Sequence, residues 1–292
     1  MLFQASIRLS FELILHLIYN QINPLVMNHV SFKKTAALAC IFLVFFLKTD
    51  AQVVTLDNYF NQEVRKSKES ESKPFHYLWE DKGESGFSKF GNAFTVRGAT
   101  LTTLREAPSL ENLKGSNVYI IVDPDTRKES LSPNFISKAD VKVVAEWVKE
   151  GGVLLLMAND SANAELPHLN ELAGIFGLHF NNDLQNHVID DKHFEDGSVV
   201  VSDNPILRTA TKIYMKDVSS ISVKSPAKAA LVKNGTILIA TAKYGKGNVL
   251  AVGDPWLYNE YVNGRLPAGY DNDKAAKDLA DWLLKQVPSL KK

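Results

Sequence analysis

The chain has 292 residues, of which 45% are hydrophobic, so it is long enough and apolar enough to fold around a sizeable core. Its 33 basic and 33 acidic residues balance each other. That balance argues against a nucleic-acid partner and against binding to an anionic membrane surface.

Residues 1–51 are predicted to be a start-site extension followed by a signal peptide. After Met27, a pair of lysines precedes an apolar run from Thr35 to Leu47, and small residues ending at Ala51 fit a cleavage site. The apolar run is too short to span a bilayer. We therefore expect a periplasmic or secreted protein, cleaved near Ala51, with no membrane association after the signal is removed.

Cys40 is the only cysteine and lies inside this apolar run, so the mature protein is predicted to have neither a disulfide nor thiol chemistry. A lipoprotein acylated at Cys40 is the alternative, although apolar residues follow the cysteine where a polar tether is expected. For residues 1–26, the alternative to a start at Met27 is a second, membrane-associated helix.

The rest of the chain divides into a polar segment and one domain. Residues 52–73 are rich in charge, which predicts a linker or a solvated helix. From residue 74 to residue 292, short apolar runs alternate with helical periodicity. This pattern is typical of an α/β fold with a mostly parallel sheet and helices on both faces.

Four apolar runs end abruptly in polar residues, which predicts buried parallel strands. They are Phe75–Trp79, Val118–Val122, Val153–Met157 and Asn248–Val252. Helical periodicity predicts three helices, and the first of them starts with a capping-box pattern and stops at two glycines. These helices cover Ser137–Glu150, Asn163–Phe176 and Asp273–Gln286.

The stretch 178–243 is richer in Asn, Asp and Ser and contains several short β-type runs. These runs predict an antiparallel extension of the sheet, and they cover residues 199–201, 219–223 and 236–240. The sequence Tyr244–Gly247 lies between two predicted strands. Because no helix follows its glycines, it predicts a tight hairpin turn rather than a phosphate-binding loop.

The polar residues that follow the predicted strands form a candidate substrate-binding edge. In open α/β sheets, ligands bind outside the carboxyl ends of the strands. Helix capping and turn formation are an alternative explanation for part of this set. The residues are Asp81 after the first strand, Asp123 after the second, Asn159 and Asp160 after the third, and Asp254 after the last.

The segment after the last strand adds aromatic faces to this edge. Trp256 and Tyr258 stand beside Asn259, and such faces stack on the C–H surfaces of sugars while amides bind hydroxyl groups. Arg265 is predicted to clamp a carboxylate, which a uronic acid supplies. The alternatives are a core position for Trp256 and an exposed ion pair for Arg265.

Asp160, Glu165 and His187 are predicted to supply acid–base catalysis. Glu165 falls in the first turn of the second predicted helix, on the side that faces the sheet edge. Histidines exchange protons near neutral pH, and His187 lies in the loop-rich stretch 181–197, where a lid can form. His168 and His193 are the other proton carriers to consider, and a surface or capping role is the alternative for every histidine.

Several familiar catalytic sites are absent from the sequence. After the signal segment there is no cysteine for a Cys-His-Glu triad, and there is neither a Gly-x-Ser-x-Gly elbow nor a His-x-x-x-His zinc pair. The aspartates that follow the strands lack the spacing of a calcium loop. We therefore expect no metal and no cofactor.

Three stretches carry a resemblance to a known family, namely residues 121–126, 151–161 and 243–261. They resemble the glutamine-amidotransferase-like domain that Bacteroidota proteins carry beside, or fused to, unsaturated glucuronyl and rhamnogalacturonyl hydrolases. The resemblance covers nearly all of residues 74–286 and implies a flavodoxin-like fold. Because the amidotransferase nucleophile is missing, amidotransfer is not implied.

The resemblance implies the breakdown of oligosaccharides that lyases release from ulvan or rhamnogalacturonan, whose ends carry an unsaturated uronate. Free-standing proteins of this kind look like oligosaccharide dehydratases, which eliminate water from such ends, and we expect this function. An unsaturated glucuronyl or rhamnogalacturonyl hydrolase and a non-catalytic carbohydrate-binding module are the alternatives. The resemblance assigns no catalytic residue, the only partner expected is the oligosaccharide, and the oligomeric state is left open.

Overall fold

The computed structural model describes residues 51–66, 72–255 and 264–288. The predicted start-site extension and signal peptide lie outside the described residues up to position 50. From Ala51 onward the chain belongs to one compact unit.

A seven-stranded sheet forms the centre of this unit. Five strands run parallel, and an antiparallel hairpin extends the sheet at one side. In spatial order they are β4 (Thr100–Leu104), β1 (Val53–Asp57), β5 (Val118–Val122), β6 (Val153–Met157), β13 (Gly247–Val252), β12 (Thr236–Tyr244) and β11 (Lys228–Lys233). The predicted α/β class, with its mostly parallel sheet and antiparallel extension, is confirmed.

Three of the four predicted parallel strands are confirmed. All five residues of both β5 and β6 are buried, and β13 follows the same pattern after its first two residues. A strand covered by helices on both faces must be apolar on both sides, which is why these strands are continuous hydrophobic runs rather than alternating ones.

Helices cover both faces of the sheet. One buried cluster packs two helices on one face, α1 (Ser88–Thr95) and α5 (Asn272–Gln286). A second cluster packs three helices on the other face, α2 (Leu110–Leu113), α3 (Lys138–Lys149) and α4 (Leu166–Ile175). Within the described ranges, no helix is long and apolar enough to cross a membrane.

The three predicted helices are confirmed as α3, α4 and α5. Helix α3 begins where the capping box was predicted, because Ser137 Oγ accepts a hydrogen bond from Asp140 N and the Asp140 side chain accepts one from Ser137 N. Such a cap contributes about 1 kcal/mol. Gly177, with a φ of 79°, follows α4 and adopts a conformation that favours glycine.

The prediction of a linker over residues 52–73 is wrong at its start, because Val53–Asp57 is an interior strand of the sheet. The polar residues of this strand suggested an exposed segment, but Thr55 and Asp57 are buried among hydrogen-bond partners. Thr55 Oγ1 lies 2.8 Å from Thr102 Oγ1, and the Tyr119 hydroxyl donates to Asp57. Satisfied in this way, two polar side chains fit an interior strand.

The prediction of a strand over Phe75–Trp79 is also wrong. His76 and Tyr77 have φ values of 63° and 48°, which no extended strand adopts. The apolar residues of this run instead supply rings to the core on the α1 side. The Tyr77 ring lies 4.9 Å from the Phe87 ring, and Trp79 packs against the same ring.

The stretch 178–243 contains one of the predicted antiparallel additions to the main sheet, the strand β12. The Tyr244–Gly247 turn is confirmed, since these two residues pair across it. The other short strands form separate two-stranded pairs. These are β7 (Leu178–Phe180) with β10 (Ile221–Val223), β8 (Ser198–Val200) with β9 (Lys212–Tyr214), and, earlier in the chain, β2 (Val64–Lys66) with β3 (Ser72–Pro74); a 3-10 helix covers Phe194–Gly197.

Candidate functional site

The carboxyl ends of the parallel strands define the candidate site. The chain leaves β1 to form β4 on one side and then crosses to form β5 on the other side. In such sheets the crevice at this reversal is where ligands bind. Asp123, Asn159 and Asp254 follow β5, β6 and β13, and these three strands are parallel and adjacent, so the three residues lie at one edge of the sheet.

A cavity of about 130 Å³ opens at this edge, and we call it the strand-end pocket. Its lining is almost entirely polar and combines acids, amides, one lysine and one histidine. The lining residues are His76, Tyr77, Asp123, Glu129, Asn159, Asn163, Lys216 and Asp217.

Four of these eight residues have a positive φ. The values are 63° for His76, 48° for Tyr77, 45° for Asp123 and 50° for Asp217. Each costs conformational energy of order 1 kcal/mol in a residue with a Cβ. Residues with a strained backbone cluster at functional sites, because the strained conformation directs their side chains to positions that an unstrained backbone would not allow.

Asp123 is the hydrogen-bonded centre of the pocket. Its Oδ2 accepts from the Tyr77 hydroxyl at 2.8 Å and from Asn159 Nδ2 at 3.4 Å. Its carbonyl oxygen accepts from Asn61 Nδ2 at 2.9 Å. Oδ1 is buried and has no hydrogen-bond partner among the described residues. A buried acid with an unpaired oxygen is unusual in structural positions and points to chemistry.

The surroundings of Asp123 favour its neutral form. Burial raises the pKa of Asp123 well above its usual range, and the hydrogen bonds from Tyr77 and Asn159 oppose the rise only in part. Burial also raises the pKa of Tyr77, and the charge of Asp123 adds to it. Burial therefore shifts both groups of the Asp123–Tyr77 pair toward their protonated forms.

Further buried carboxyl groups lie near the ends of the same strands, at the end of β1 and after β5. Burial raises the pKa of Asp125 to about 7 and that of Asp57 to about 6. Burial raises the pKa of Glu129 as well, and the nearby charge of Glu63 adds to the effect. When several acids are buried close together, burial and mutual repulsion raise their pKa values, so fewer of them are ionised than there are carboxyl groups.

His76 is the basic group of the pocket. The β2–β3 pair brings it beside Glu63, since Phe75 N donates to the Glu63 carbonyl at 2.9 Å. His76 Nδ1 then lies 2.5 Å from Glu63 Oε1. A carboxylate bound to one ring nitrogen fixes the orientation of the imidazole and leaves the other nitrogen to accept a proton.

Lys216 supplies the positive charge of the pocket. Its Nζ lies 3.3 Å from Asp217 Oδ2, and its backbone N donates to Asp254 Oδ2 at 3.0 Å. Asp254 is fully buried, so it holds the Lys216 backbone in place from behind the pocket. Among the described residues, no group of three or more His, Asp or Glu side chains is arranged to hold a metal ion.

The predicted catalytic carboxylates do not line the pocket themselves, and each has hydrogen-bond partners close to it in the chain. Asp160 accepts hydrogen bonds from Ala162 N and Asn163 Nδ2, so it shapes the turn that presents Asn163. Glu165 is the N-cap of α4 and accepts a hydrogen bond from His168 N. Of the residues predicted to bind substrate, Asp123 and Asn159 line the pocket.

The remaining predicted residues lie at other places. His187 is exposed and borders the pocket only through its Nδ1, which lies 2.8 Å from Asp217 Oδ1. Asp81 accepts hydrogen bonds from Gly83 N and Ser85 Oγ within its own turn. Arg265 forms ion pairs with Glu84 and Asp191, which corresponds to the alternative considered for it.

Trp256, Tyr258 and Asn259 lie outside the described residues, so their place in the site stays a prediction. Sequence reasoning missed Glu63, His76, Tyr77 and Lys216. Glu63 and His76 stand 13 residues apart, in a segment interpreted as linker and strand, and no motif joins them. The one available signal was an adjacent His and Tyr at the end of a polar segment.

A scan against models of protein families finds no match for this sequence, and a search of curated proteins finds none either. Solved structures do share the fold. The mmIFT52 N-terminal domain matches with a TM-score of 0.58 and 16% identity, covering 82% of this chain and 100% of that one. Cytoplasmic Protein STM1381 from Salmonella typhimurium LT2 matches with a TM-score of 0.53 and 14% identity, covering 81% and 100%. At these identities the similarity establishes the fold alone.

Proposed function

We propose that this protein is a periplasmic or secreted oligosaccharide dehydratase. Its substrates are the unsaturated-uronate ends of oligosaccharides that polysaccharide lyases release, from ulvan or rhamnogalacturonan. The resemblance to the amidotransferase-like domain supports the substrate class, and the signal-like segment supports the compartment. The strand-end pocket supports the reaction type.

The observation that carries the proposal is that one small pocket combines an oriented base, an acid whose protonated form is favoured by burial, and a cation. Elimination of water needs all three: a base for the C–H proton, an acid for the departing hydroxyl and a partner for the substrate carboxylate. In the strand-end pocket, His76, the Asp123–Tyr77 pair and Lys216 correspond to these roles.

His76 is the base in this mechanism. Its ring nitrogen takes a proton from a sugar carbon, and the electron pair of that C–H bond forms a new carbon–carbon double bond. The hydrogen-bonded Glu63 stabilises the imidazolium that results. The conjugated carboxylate of the unsaturated uronate delocalises the charge that develops on the sugar.

The Asp123–Tyr77 pair is the acid. As the double bond forms, the bond between the neighbouring carbon and its hydroxyl breaks, and a proton from the pair converts that hydroxyl into water. Proton exchange with solvent restores His76 and the pair, so the net reaction yields one dehydrated oligosaccharide and one water. Lys216 pairs with the substrate carboxylate, and Asn159 and Asn163 offer amides to the remaining hydroxyl groups.

The test is mass spectrometry of oligosaccharides from ulvan-lyase and rhamnogalacturonan-lyase digests after incubation with the protein. We expect the loss of one water from at least one substrate set, with the number of sugars unchanged. Heat-denatured protein is the control for spontaneous elimination.

Two results contradict this function. Unchanged masses across both substrate sets would rule out the dehydratase. Shorter oligosaccharides, with the unsaturated-uronate absorbance disappearing, would instead identify a hydrolase that adds water to the double bond.

A further inference from the structure

A second cavity of about 380 Å³ lies beside the strand-end pocket, and we call it the Lys233 cavity. It is larger than the strand-end pocket, and its lining combines one lysine and one aspartate with amides and a histidine. Its lining residues are Gln185, Asn186, His187, Asp196, Lys233, Asn234, Thr236 and Leu238.

A hydrogen bond joins a lining residue of one cavity to a lining residue of the other. Asp217 lines the strand-end pocket, and its Oδ1 lies 2.8 Å from Nδ1 of His187, which lines the Lys233 cavity. The backbone of Asp217 also donates to the Asn186 carbonyl at 3.2 Å. A chain of sugars bound in the strand-end pocket therefore has the Lys233 cavity as its neighbour.

The hydrogen-bond partners of the Lys233 ammonium group are neutral. Its Nζ donates to Asn186 Oδ1 at 2.8 Å and to the Asp196 carbonyl at 3.4 Å. Across the described ranges, no carboxylate lies within ion-pair distance of this ammonium group. Burial lowers the pKa of Lys233, and the charge of Asp196, which lies beyond ion-pair distance, opposes this decrease only in part.

A half-buried ammonium group in a polar cavity is suited to an oxyanion. The amides of Gln185 and Asn234 and the hydroxyl of Thr236 add donors and acceptors that suit sugar hydroxyl groups. Leu238, which is buried in the core, closes the floor of the cavity. The cavity thus has the composition of a site for a sugar that carries a negative charge.

We propose that the Lys233 cavity is a second sugar subsite, which binds the sugar next to the reacting end and pairs Lys233 with an anionic group on it. The inference rests on the proposed function for the identity of the chain. The shared chemistry of the group is an oxyanion, either a carboxylate or a sulfate ester.

The test is calorimetric titration of the whole protein with three disaccharides that share an unsaturated-uronate end. The second sugar is neutral in the first, a uronate in the second and a sulfated sugar in the third. We expect wild-type protein to bind at least one charged form about tenfold more tightly than the neutral form, since charge-assisted hydrogen bonds have this strength. Comparison of the carboxylate and sulfate forms identifies the group.

Lys233→Met is expected to abolish the preference for the charged disaccharide and to leave the affinity for the neutral one unchanged. Lys233→Arg keeps the positive charge, so it should retain the preference for the charged disaccharide. That result would show that a substitution at this position does not by itself disrupt the fold. The matched control is Lys228→Met, on the same strand with an exposed side chain, and it should bind like wild type.

Equal affinity of wild-type protein for the three disaccharides, or an unchanged preference in Lys233→Met, overturns the subsite. Binding is measured without turnover, so it separates this inference from the proposed reaction. Charge-dependent binding without dehydration refutes the dehydratase alone, whereas dehydration without charge-dependent binding refutes the subsite alone.

Discussion

The strand-end pocket depends on residues whose backbone is held in a left-handed conformation. His76, Tyr77, Asp123 and Asp217 each retain a side chain there although glycine fits such backbone more easily. For Asp123, the fixed backbone places the carboxyl group between Tyr77 and Asn159. The conformational cost at these positions is consistent with selection for the side chains rather than for stability.

At the residue scale, His76→Asn tests the base. Asparagine tolerates a positive φ, so the backbone is expected to persist, whereas the amide cannot take a proton near neutral pH. We expect kcat for water elimination to fall by about 10²–10⁴-fold, with the melting temperature close to that of wild type. Steady-state kinetics and a thermal melt check this.

The matched control is His179→Asn, which changes an exposed histidine on β7. It should retain wild-type kinetics. Wild-type turnover in the His76→Asn variant would assign the base to another residue, and His187, the histidine predicted from the sequence, would be the next to test.

At the element scale, the end of β13 is packed against the segment that carries the cation of the pocket. Gly253 N donates to the Leu238 carbonyl, and its own carbonyl accepts from Ser219 N at 3.0 Å. A Cβ at position 253 would lie 2.1 Å from the Ser219 carbonyl oxygen, closer than any real contact. Only glycine allows the two segments to approach in this way.

Gly253→Ala is therefore expected to lower the free energy of unfolding by about 1–3 kcal/mol, because the backbone at Ser219 must shift. The shift reaches Lys216 and Asp217, so turnover should fall as well. Gly115→Ala is the control, since a Cβ there meets nothing within 4 Å. Urea denaturation and kinetics on both variants measure the effects, and equal stability of the two variants would contradict the packing argument.

The elements that the sequence predicted are those whose pattern, a hydrophobic run or a helix cap, lies within the element itself. Val118–Val122 and Val153–Met157 are apolar on both faces, and α3 carries its own cap. In contrast, β1 is stabilised by partners far along the chain, such as Tyr119, 62 residues beyond Asp57. A local pattern contains no sign of such a partner, so the strand was interpreted as a linker.

At the scale of the whole molecule, the same reasoning explains why the site was predicted only in part. Asp123 and Asn159 were found because parallel strands bring their carboxyl ends together. Tyr77, 46 residues before Asp123, reaches the pocket from a loop whose conformation depends on the core beneath it. The edge of the sheet was therefore predictable from strand order, and the residues that loops bring to it were not.

Buried carboxyl groups near the carboxyl ends of β1 and β5 give the whole molecule a characteristic pH dependence. The pKa values of Asp57 and Asp125 are raised to about 6 and about 7, and the pKa of Asp123 is also raised. For a group whose pKa is higher in the folded state, the contribution to stability is present in full below the unfolded pKa of about 3.8 and is lost as pH rises through the folded pKa. Stability should therefore decline as pH rises from about 4, the unfolded pKa, to about 7, the highest printed folded pKa.

Asp125→Asn isolates this effect. The amide oxygen of the introduced asparagine can still accept from Gln62 N, as Asp125 Oδ2 does at 3.1 Å, while Asp57 accepts more hydrogen bonds and tolerates the change less well. We expect the variant to be more stable than wild type at pH 8 by about 1–3 kcal/mol, and to differ much less at pH 4, close to the unfolded pKa, where the folded and unfolded states bind nearly the same number of protons at Asp125. Urea denaturation at both pH values measures this, with Glu106→Gln as an exposed control. The same difference from wild type at both pH values would show that ionisation of Asp125 does not destabilise the fold.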